Sequence, residues 1–172
     1  MKGRTMAQRP ADMSENGRTE GDWPGLSGRV IVDEDGAKRH VLPVRVYFED
    51  TDFSGFVYHA TYLRWCERGR SDFLRLTGHH HQELLEGKDG PPAAFVVRRM
   101  QLEYRRPAQI DEVLEVHTRV AKLTAVVLTL SQEVVREGVR LFEATVEVVL
   151  VSLDGKPQRL DARFQADFKP RA

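Results

Sequence analysis

The chain has 172 residues, enough for one domain with a buried core, and its 26 basic and 26 acidic residues cancel to a net charge of zero. A neutral chain gives no electrostatic reason to expect nucleic acid or an anionic membrane surface as a partner. The single cysteine, Cys66, excludes an internal disulfide and favours a reducing compartment. No run approaches the roughly 18 apolar residues of a spanning helix. We therefore expect a cytoplasmic protein without a secretory signal.

The N-terminal third of the chain divides into a polar segment and two strands. Residues 1–27 are polar and show no apolar period, which predicts a mobile tail ahead of a single domain from 28 to 172. The runs RVIV and HVLPVRVYF, separated by DEDG, predict two strands joined by a turn. Pro43 lies inside the second run and predicts an edge position or a bulge, because proline has no N–H to donate.

A long helix follows these strands. Between Tyr58 and Leu76 the apolar spacing changes from two residues to between three and four, which predicts one amphipathic helix. Thr77-Gly78 supplies a glycine C-cap. The next residues, His79–His81, cannot easily converge on one ion because neighbouring side chains diverge, and no other Cys or His completes a metal site. We predict a polar loop there, with a short helical turn and no metal.

The rest of the chain is dominated by alternating apolar and polar residues. Five runs read as strands: AAFVVRRMQLEY, DEVLEVHTRVAKL, AVVLTLSQEVVREG, VRLFEATVEVVLVSLDG and PQRLDARFQADF. Turn signals at Pro107, Glu137-Gly138 and Asp154-Gly155 separate several of them. One helix followed by long strands predicts an α+β protein in which the helix lies on one curved antiparallel sheet.

The stretch EDTDFSGFVYHATYL combines a carboxylate, a glycine turn and a helix start. The first helical turn, near Tyr58, has unpaired N–H groups and the positive end of the helix dipole, which can stabilise an oxyanion. Asp52, a few residues upstream, could attack a carbonyl carbon or activate water beside it, and Gly55 would allow a positive φ or a close backbone approach. The alternative is that Asp52 or Ser54 is only a helix N-cap.

A resemblance to a known family bears on this choice. The string Arg45-Val46, Thr51-Asp52, Gly55, Val57, Ala60 and Tyr62, in that spacing, resembles the active-site signature of 4-hydroxybenzoyl-CoA thioesterase-type hotdog proteins. With ERGRSDFLR on the helix and AFVVRRMQLEYRRPAQIDEVLEV after it, the chain is similar to the acyl-CoA thioesterases associated with the Tol-Pal system of Gram-negative bacteria. The similarity covers residues 43–168.

The resemblance implies a hotdog fold, in which a long central helix is wrapped by a curved antiparallel sheet of five to six strands. It implies a homodimer or homotetramer with the active site at a subunit interface. The expected substrate is an acyl-CoA or an acyl carrier protein thioester, with no cofactor and an indirect link to Tol-Pal proteins. Asp52 corresponds to the family's catalytic aspartate, acting as nucleophile or general base, and the oxyanion donor falls at or beside His59.

The other predicted site residues surround the substrate, and for some of them more than one role is open. Tyr58 and Gly55 are predicted to position the substrate, and the His59 ring to contact water or the carbonyl. Tyr62 lines the substrate pocket or packs in the core. Phe56 (with Phe53 nearby) replaces a small residue of the family pattern and is expected to reshape the acyl pocket.

The remaining expectations concern coenzyme A, the cysteine and the choice of function. Arg98 and Arg99 are predicted to meet the phosphates of coenzyme A, or else to form a solvated sheet face. Cys66 falls on the apolar stripe of the helix, where cysteine behaves as a small hydrophobe rather than a nucleophile. The alternative function is a non-catalytic acyl-CoA-binding or cell-envelope scaffold module with a hotdog fold, which would have no use for a carboxylate beside the thioester.

Overall fold

The computed structural model describes residues 27–34, 36–88 and 90–168, so the predicted tail lies outside the described residues except for Ser27. In chain order the elements are β1 (Arg29–Val32), β2 (Lys38–Arg45), a 3-10 turn (Phe48–Asp50), α1 (His59–Leu76), α2 (His81–Glu86), β3 (Ala93–Tyr104), β4 (Val113–Leu123), β5 (Val127–Arg136), β6 (Val139–Ser152) and α3 (Ala162–Phe168). No helix within these ranges is both long and apolar enough to cross a membrane.

The strands form one antiparallel sheet in the order β1-β2-β4-β5-β6-β3. The register shifts at three places, between Val97 and Arg99, Val120 and Lys122, and Val134 and Val135, and such bulges bend a sheet and increase its twist. The predicted helix on a curved sheet is therefore confirmed. Strand β3 lies at one edge of the sheet.

Pro43 lies at a locally exposed edge of β2, which is one of the two environments that the sequence predicts for it. Strand β1 pairs with Lys38–Val41, so among the described residues β2 has no neighbour on that side at Pro43, although Pro43 still pairs with Glu115 of β4. A proline is tolerated at such a position because no ladder hydrogen bond is lost.

Helix α1 begins at His59, one residue after the predicted start, and its apolar face is buried against the sheet. Tyr62, Trp65, Cys66 and Phe73 are each no more than 2% exposed. Gly69 lets α1 pack closely against β4, because a Cβ at this position would lie 3.0 Å from Thr118 Oγ1 and 3.2 Å from Val116 Cγ1. The helix ends as predicted, with Gly78 at a φ of +80° after the C-cap Thr77.

The prediction of a final strand in PQRLDARFQADF is wrong, because residues Ala162–Phe168 form helix α3. Alternation fits this segment, but so does the four-residue spacing of Leu160, Phe164 and Phe168, all of which are buried. Asp161 decides the outcome locally, since its Oδ1 accepts a hydrogen bond of 2.7 Å from the Phe164 N–H in the first turn.

The prediction of a polar loop at His79–His81 is also wrong in part. His79 is buried against the rings of Phe164 and Phe168, and its Nε2 lies 3.0 Å from a carboxylate oxygen of Asp167. His81 begins α2, the expected short helical turn. The docking of α3 therefore depends on His79, a contact that the loop composition does not reveal.

Asp72 ties the N-terminal strands to α1. Its carboxylate oxygen Oδ2 accepts a hydrogen bond of 2.7 Å from the backbone N–H of Gly28 and lies 2.7 Å from Nε2 of the fully buried His40. Burial lowers the pKa of His40, so the neutral imidazole is favoured and its Nε2–H donates to Asp72. This contact holds β2 and the start of β1 against the helix.

We predict that Gly69→Leu destabilises the protein by about 1–3 kcal/mol, because a large side chain at this position would overpack the contact with β4. Urea unfolding followed by circular dichroism measures the change in free energy. Arg64→Leu, at an exposed position of the same helix, is the matched control and should leave stability nearly unchanged. Equal effects of the two substitutions would contradict the packing role assigned to Gly69.

Candidate active site

A tight turn carries the predicted carboxylate toward the start of α1. Thr51 and Val57 form a β-bridge, the Asp52 N–H donates to the Phe56 carbonyl at 3.1 Å, and the Gly55 N–H donates to the Asp52 carbonyl at 3.0 Å. Gly55 has a φ of +79°, and nothing lies within 4 Å of a Cβ built there. Of its two predicted uses, the structure therefore shows the positive φ required by the turn.

Asp50 is occupied by local structure. Its carboxylate accepts a hydrogen bond of 2.9 Å from the Tyr47 N–H, and its carbonyl accepts from the Tyr58 N–H at 2.9 Å and the Thr61 hydroxyl at 3.3 Å. These bonds fix the turn to the first residues of the helix. Asp50 is half-buried whereas Asp52 is exposed, so of the two nearby aspartates Asp52 is the more accessible to a substrate.

Asp52 is exposed in the single chain, and among the described residues its carboxylate is hydrogen-bonded only within its own turn. One carboxylate oxygen accepts hydrogen bonds from the Ser54 hydroxyl at 2.5 Å and the Ser54 N–H at 2.8 Å. These bonds, with a smaller contribution from His59, hold the pKa of Asp52 below its usual value. The group is therefore an anion at neutral pH. It caps the turn rather than the helix, because α1 has no side-chain hydrogen bond at its N-cap.

The start of α1 offers free backbone donors. Within the part of the chain that the structure describes, the N–H groups of His59 and Ala60 donate no hydrogen bond. The Tyr58 N–H, by contrast, is taken by the Asp50 carbonyl, which corrects the expectation that it helps to bind the oxyanion. An 18-residue helix places the positive end of its dipole at these two donors.

Aromatic rings surround the helix start. The His59 ring lies 4.3 Å from that of Tyr58 and 6.5 Å from that of Tyr104 on β3, measured between centroids. The Tyr104 hydroxyl donates a hydrogen bond of 3.0 Å to the His59 carbonyl. The first turn of α1 is thus tied to edge strand β3, and His59 remains exposed beside Asp52.

Tyr62 belongs to the core. It is 2% exposed, its hydroxyl accepts a hydrogen bond of 3.1 Å from the Ala108 N–H, and its ring stacks on Phe142 at 5.2 Å. Of the two alternatives left open by the sequence, the structure shows core packing, and the expected role of Tyr62 in lining the substrate pocket is not supported.

Apolar side chains are exposed around the turn. Phe53 projects fully into solvent, while Phe56 and Tyr58 are 38% and 42% exposed. Further exposed apolar residues lie nearby in the fold or along β3: Tyr47, Phe48, Val96, Val97, Leu102, Tyr104 and Ile110. Exposed apolar residues that cluster on a surface mark sites that meet a partner or a ligand, and those beside the Asp52 turn are candidates for such a role.

Arg98 and Arg99 lie in the middle of β3, away from Asp52 in the same chain. Five or six residues separate them from Tyr104, which at about 3.3 Å per residue amounts to roughly 16–20 Å. Arg98 is exposed and lies 3.9 Å from a carboxylate oxygen of Glu147. A single chain therefore does not bring these arginines to the catalytic candidate.

The other nucleophile and metal candidates are not built into a site. Cys66 is buried, and burial raises the pKa of its thiol to about 12, so it is inert at neutral pH. Among the described residues, no cluster of three or more His, Cys, Asp or Glu side chains could hold a metal ion.

The arrangement combines an ionised carboxylate with two unoccupied N–H donors at a helix start. Such a pair suits acyl transfer, because the donors stabilise the oxyanion while the carboxylate supplies the nucleophile or the base. A helix lying on a six-stranded antiparallel sheet, with this pair at its first turn, defines a hotdog-fold protein equipped for acyl-transfer chemistry.

Comparison with known proteins identifies the family. A model of the thioesterase superfamily matches residues 54–143. The acyl-CoA thioester hydrolase YbgC of Escherichia coli O6:H1 is 44% identical over 131 residues, covering 74% of this chain and 93% of that protein. The acyl-CoA thioesterase YbgC of Haemophilus influenzae is 40% identical over 128 residues, covering 74% and 92%. The chain belongs to the thioesterase superfamily.

A solved structure agrees with this assignment. The crystal structure of a probable thioesterase from Bartonella henselae is 45% identical and covers 72% of this chain and 99% of that one, with a TM-score of 0.69. The predicted hotdog fold, family and enzyme class are confirmed. The superfamily match begins two residues after Asp52, so the role of Asp52 depends on the geometry described above.

The sequence reasoning did not identify Ala60 as a donor or the function of Ser54. The Asp-x-Ser spacing of Asp52 and Ser54 is a signal that could have found the second, because aspartate commonly bonds the backbone two residues on. Ala60 has no side-chain signal, since only its backbone N–H is exposed for use.

We predict that Ser54→Ala raises the pKa of Asp52, because the hydroxyl hydrogen bond is the largest contribution that lowers it. If the ionised carboxylate is required, the acidic limb of the kcat/KM profile should move to higher pH. The control is Ser131→Ala on the opposite face of β5 from Gln132, which should not move the limb. If Ser54→Ala leaves the acidic limb of the kcat/KM profile unchanged, that limb does not report the titration of Asp52.

Proposed function

We propose that this protein hydrolyses acyl-CoA thioesters to a free acid and coenzyme A, with Asp52 as the catalytic carboxylate. The single observation that carries the proposal is the pairing of an exposed, ionised Asp52 with the free N–H groups at the start of α1. The names of the YbgC relatives, an acyl-CoA thioester hydrolase and an acyl-CoA thioesterase, support the same substrate class.

The proposed mechanism places the thioester carbonyl oxygen against the N–H groups of His59 and Ala60. As the carbonyl carbon becomes tetrahedral, its oxygen gains negative charge, which these donors and the helix dipole stabilise. The Asp52 carboxylate either attacks this carbon, displacing the coenzyme A thiolate and forming an anhydride that water cleaves, or deprotonates the attacking water. Both routes give one carboxylic acid and one thiol from each thioester and water.

We also propose that the active form is a homo-oligomer built through β3. This strand is 12 residues long, lies at the sheet edge, and exposes Val96, Val97 and Leu102. An exposed apolar edge strand of this length invites pairing with a second chain. Antiparallel pairing of two β3 strands would bring the Ala93 end of one copy beside Tyr104, and hence His59, of the other.

Several narrower parts of the proposal rest on the family resemblance. They are an acyl carrier protein as an alternative carrier of the acyl group, contact between coenzyme A phosphates and Arg98 or Arg99 within the oligomer, a cytoplasmic location, and an indirect link to Tol-Pal proteins. Phe53 and Phe56 are proposed to shape the acyl pocket, since both are exposed beside Asp52 in the single chain.

We predict that Asp52→Asn lowers thiol release from acyl-CoA by roughly 10²–10⁴-fold, the usual loss when a general base is removed. The assay follows free thiol over a panel of acyl-CoAs of different chain length. Thermal unfolding should be nearly unchanged, because Asp52 is exposed. Asp154→Asn, in an exposed turn, is the control and should retain full activity. Release of no thiol by the wild-type protein would favour a non-catalytic acyl-CoA-binding module.

We predict that Leu102→Lys weakens the oligomer, since a charge on β3 opposes burial of the strand against a second copy. Sedimentation velocity should show a larger monomer fraction at a given protein concentration. Val139→Lys changes a residue of similar exposure at the start of β6 and should leave the oligomer intact. A wild-type protein that sediments as a monomer would argue against pairing through β3.

A further inference from the structure

An apolar cavity of about 140 Å³ lies between α1 and the sheet, with Val96 and Val97 of β3 at its border, and Asp52 of the same chain does not line it. Its walls include Phe73 and Leu74 from α1, Leu128 and Leu130 from β5, Val148 from β6 and Phe168 from α3. A cavity of about 150 Å³ with apolar walls is large enough to bind benzene. The space therefore suits an apolar group of roughly six carbons.

Two charged side chains, Arg70 and Glu67, lie at the border of this apolar space. Arg70, on α1, borders the cavity, and its Nη1 donates a hydrogen bond of 2.9 Å to Oε1 of Gln132. Within the described residues, that is its only hydrogen bond, and no carboxylate lies within ion-pair distance. Arginine has five N–H donors, so most of the guanidinium is available to a further acceptor.

A buried amide fixes the position of Arg70. Gln132 is fully buried, and its Nε2 donates to the Cys66 carbonyl and to Thr118 Oγ1, each at 2.8 Å. Since both amide hydrogens are used, its Oε1 is left to accept from Arg70. The guanidinium is thereby held at the cavity by a side chain anchored in the centre of the sheet.

Burial disfavours the charged form of Arg70 more strongly than the nearby Glu67 carboxylate favours it. Burial lowers the pKa of Arg70, which reflects the cost of keeping a charged guanidinium away from water. The Glu67 carboxylate accepts a hydrogen bond from the Ser71 hydroxyl at 2.6 Å, and it favours the charged Arg70 without forming a hydrogen bond to it. An anion bound beside Arg70 would offset this cost.

We propose that the cavity binds a small monocarboxylic acid, about the size of benzoate or hexanoate. Its hydrocarbon part would lie among Phe73, Leu130 and Val148, and its carboxylate would accept charge-assisted hydrogen bonds from Arg70. Such an acid is the chemical class of product that the proposed hydrolysis releases. That link to product binding rests on the proposed function, whereas the binding site itself does not.

Titration of the full-length protein with sodium benzoate and with benzyl alcohol, followed by calorimetry or by amide chemical shifts, tests the proposal. Benzoate should bind the wild type about tenfold more tightly than the neutral alcohol of similar size, as expected for hydrogen bonds to a charged group. Arg70→Gln keeps a donor for Gln132 but removes the charge, so it should abolish this preference. Arg64→Gln, on the exposed side of α1, should keep it.

Three outcomes would overturn the proposal: no binding of benzoate by the wild type, equal affinity for benzoate and benzyl alcohol, or an undiminished preference in folded Arg70→Gln. Val148→Phe provides an independent test, because filling the cavity should weaken both ligands. Thiol release from acyl-CoA, measured on the same wild-type preparation, separates the two proposals. Benzoate binding without thiol release would leave this site standing while the proposed hydrolysis fails.

Discussion

The close contact between α1 and the sheet is the constraint on which the rest of the structure depends. Gly69 lets the helix approach Thr118 and Val116, and Gln132 bonds from the sheet to the Cys66 carbonyl of the helix. These contacts fix where α1 lies along the strands, and hence where its first turn meets the loop that carries Asp52. Burial of the apolar face of α1 drives the packing. The absence of a side chain at Gly69 and the buried amide of Gln132 set the geometry of the contact.

The catalytic candidate is positioned chiefly by the backbone. Asp50 accepts the Tyr58 N–H through its own carbonyl, and this single bond joins the turn to the helix start. It also removes one donor from the helix terminus, so that the free N–H groups are those of His59 and Ala60. Asp52 is then kept ionised by Ser54, two residues along the same turn. Little of this depends on long side chains, which suits a site that must remain open to a substrate.

The buried polar side chains near the C-terminus of α1 have a different kind of partner from Arg70, which lies further back along the helix. Near the helix C-terminus, His40 and His79 are buried against carboxylates, and both bind other elements to the helix through Asp72 and Asp167. Arg70 lies on α1 between these contacts and the candidate active site, and among the described residues its hydrogen-bond partner is the neutral Gln132 rather than a carboxylate. This difference in hydrogen bonding distinguishes the cavity from the purely structural contacts.

The sequence by itself determined most of the elements and located the candidate site. Alternation is a strong signal over long strands, so β3 was predicted residue for residue, and the change of period at Tyr58 located α1 to within one residue. The carboxylate, glycine turn and helix start were recognisable because all three lie within a few consecutive residues. Where strand alternation and the four-residue spacing of a helix fit equally well, as for Phe164 and Phe168, the local pattern is insufficient, and it predicts a strand where the structure has α3.

The tertiary structure decided what each side chain can reach. Tyr62 carries its hydroxyl into the core because Ala108 lies across from it, and His79 is buried because α3 folds back over it. Arg98 and Arg99 are separated from Asp52 in one chain because β3 runs away from the helix start. The pairing of Arg70 with Gln132 joins residues 62 positions apart. Such relations depend on contacts between distant segments, which local periodicity does not encode.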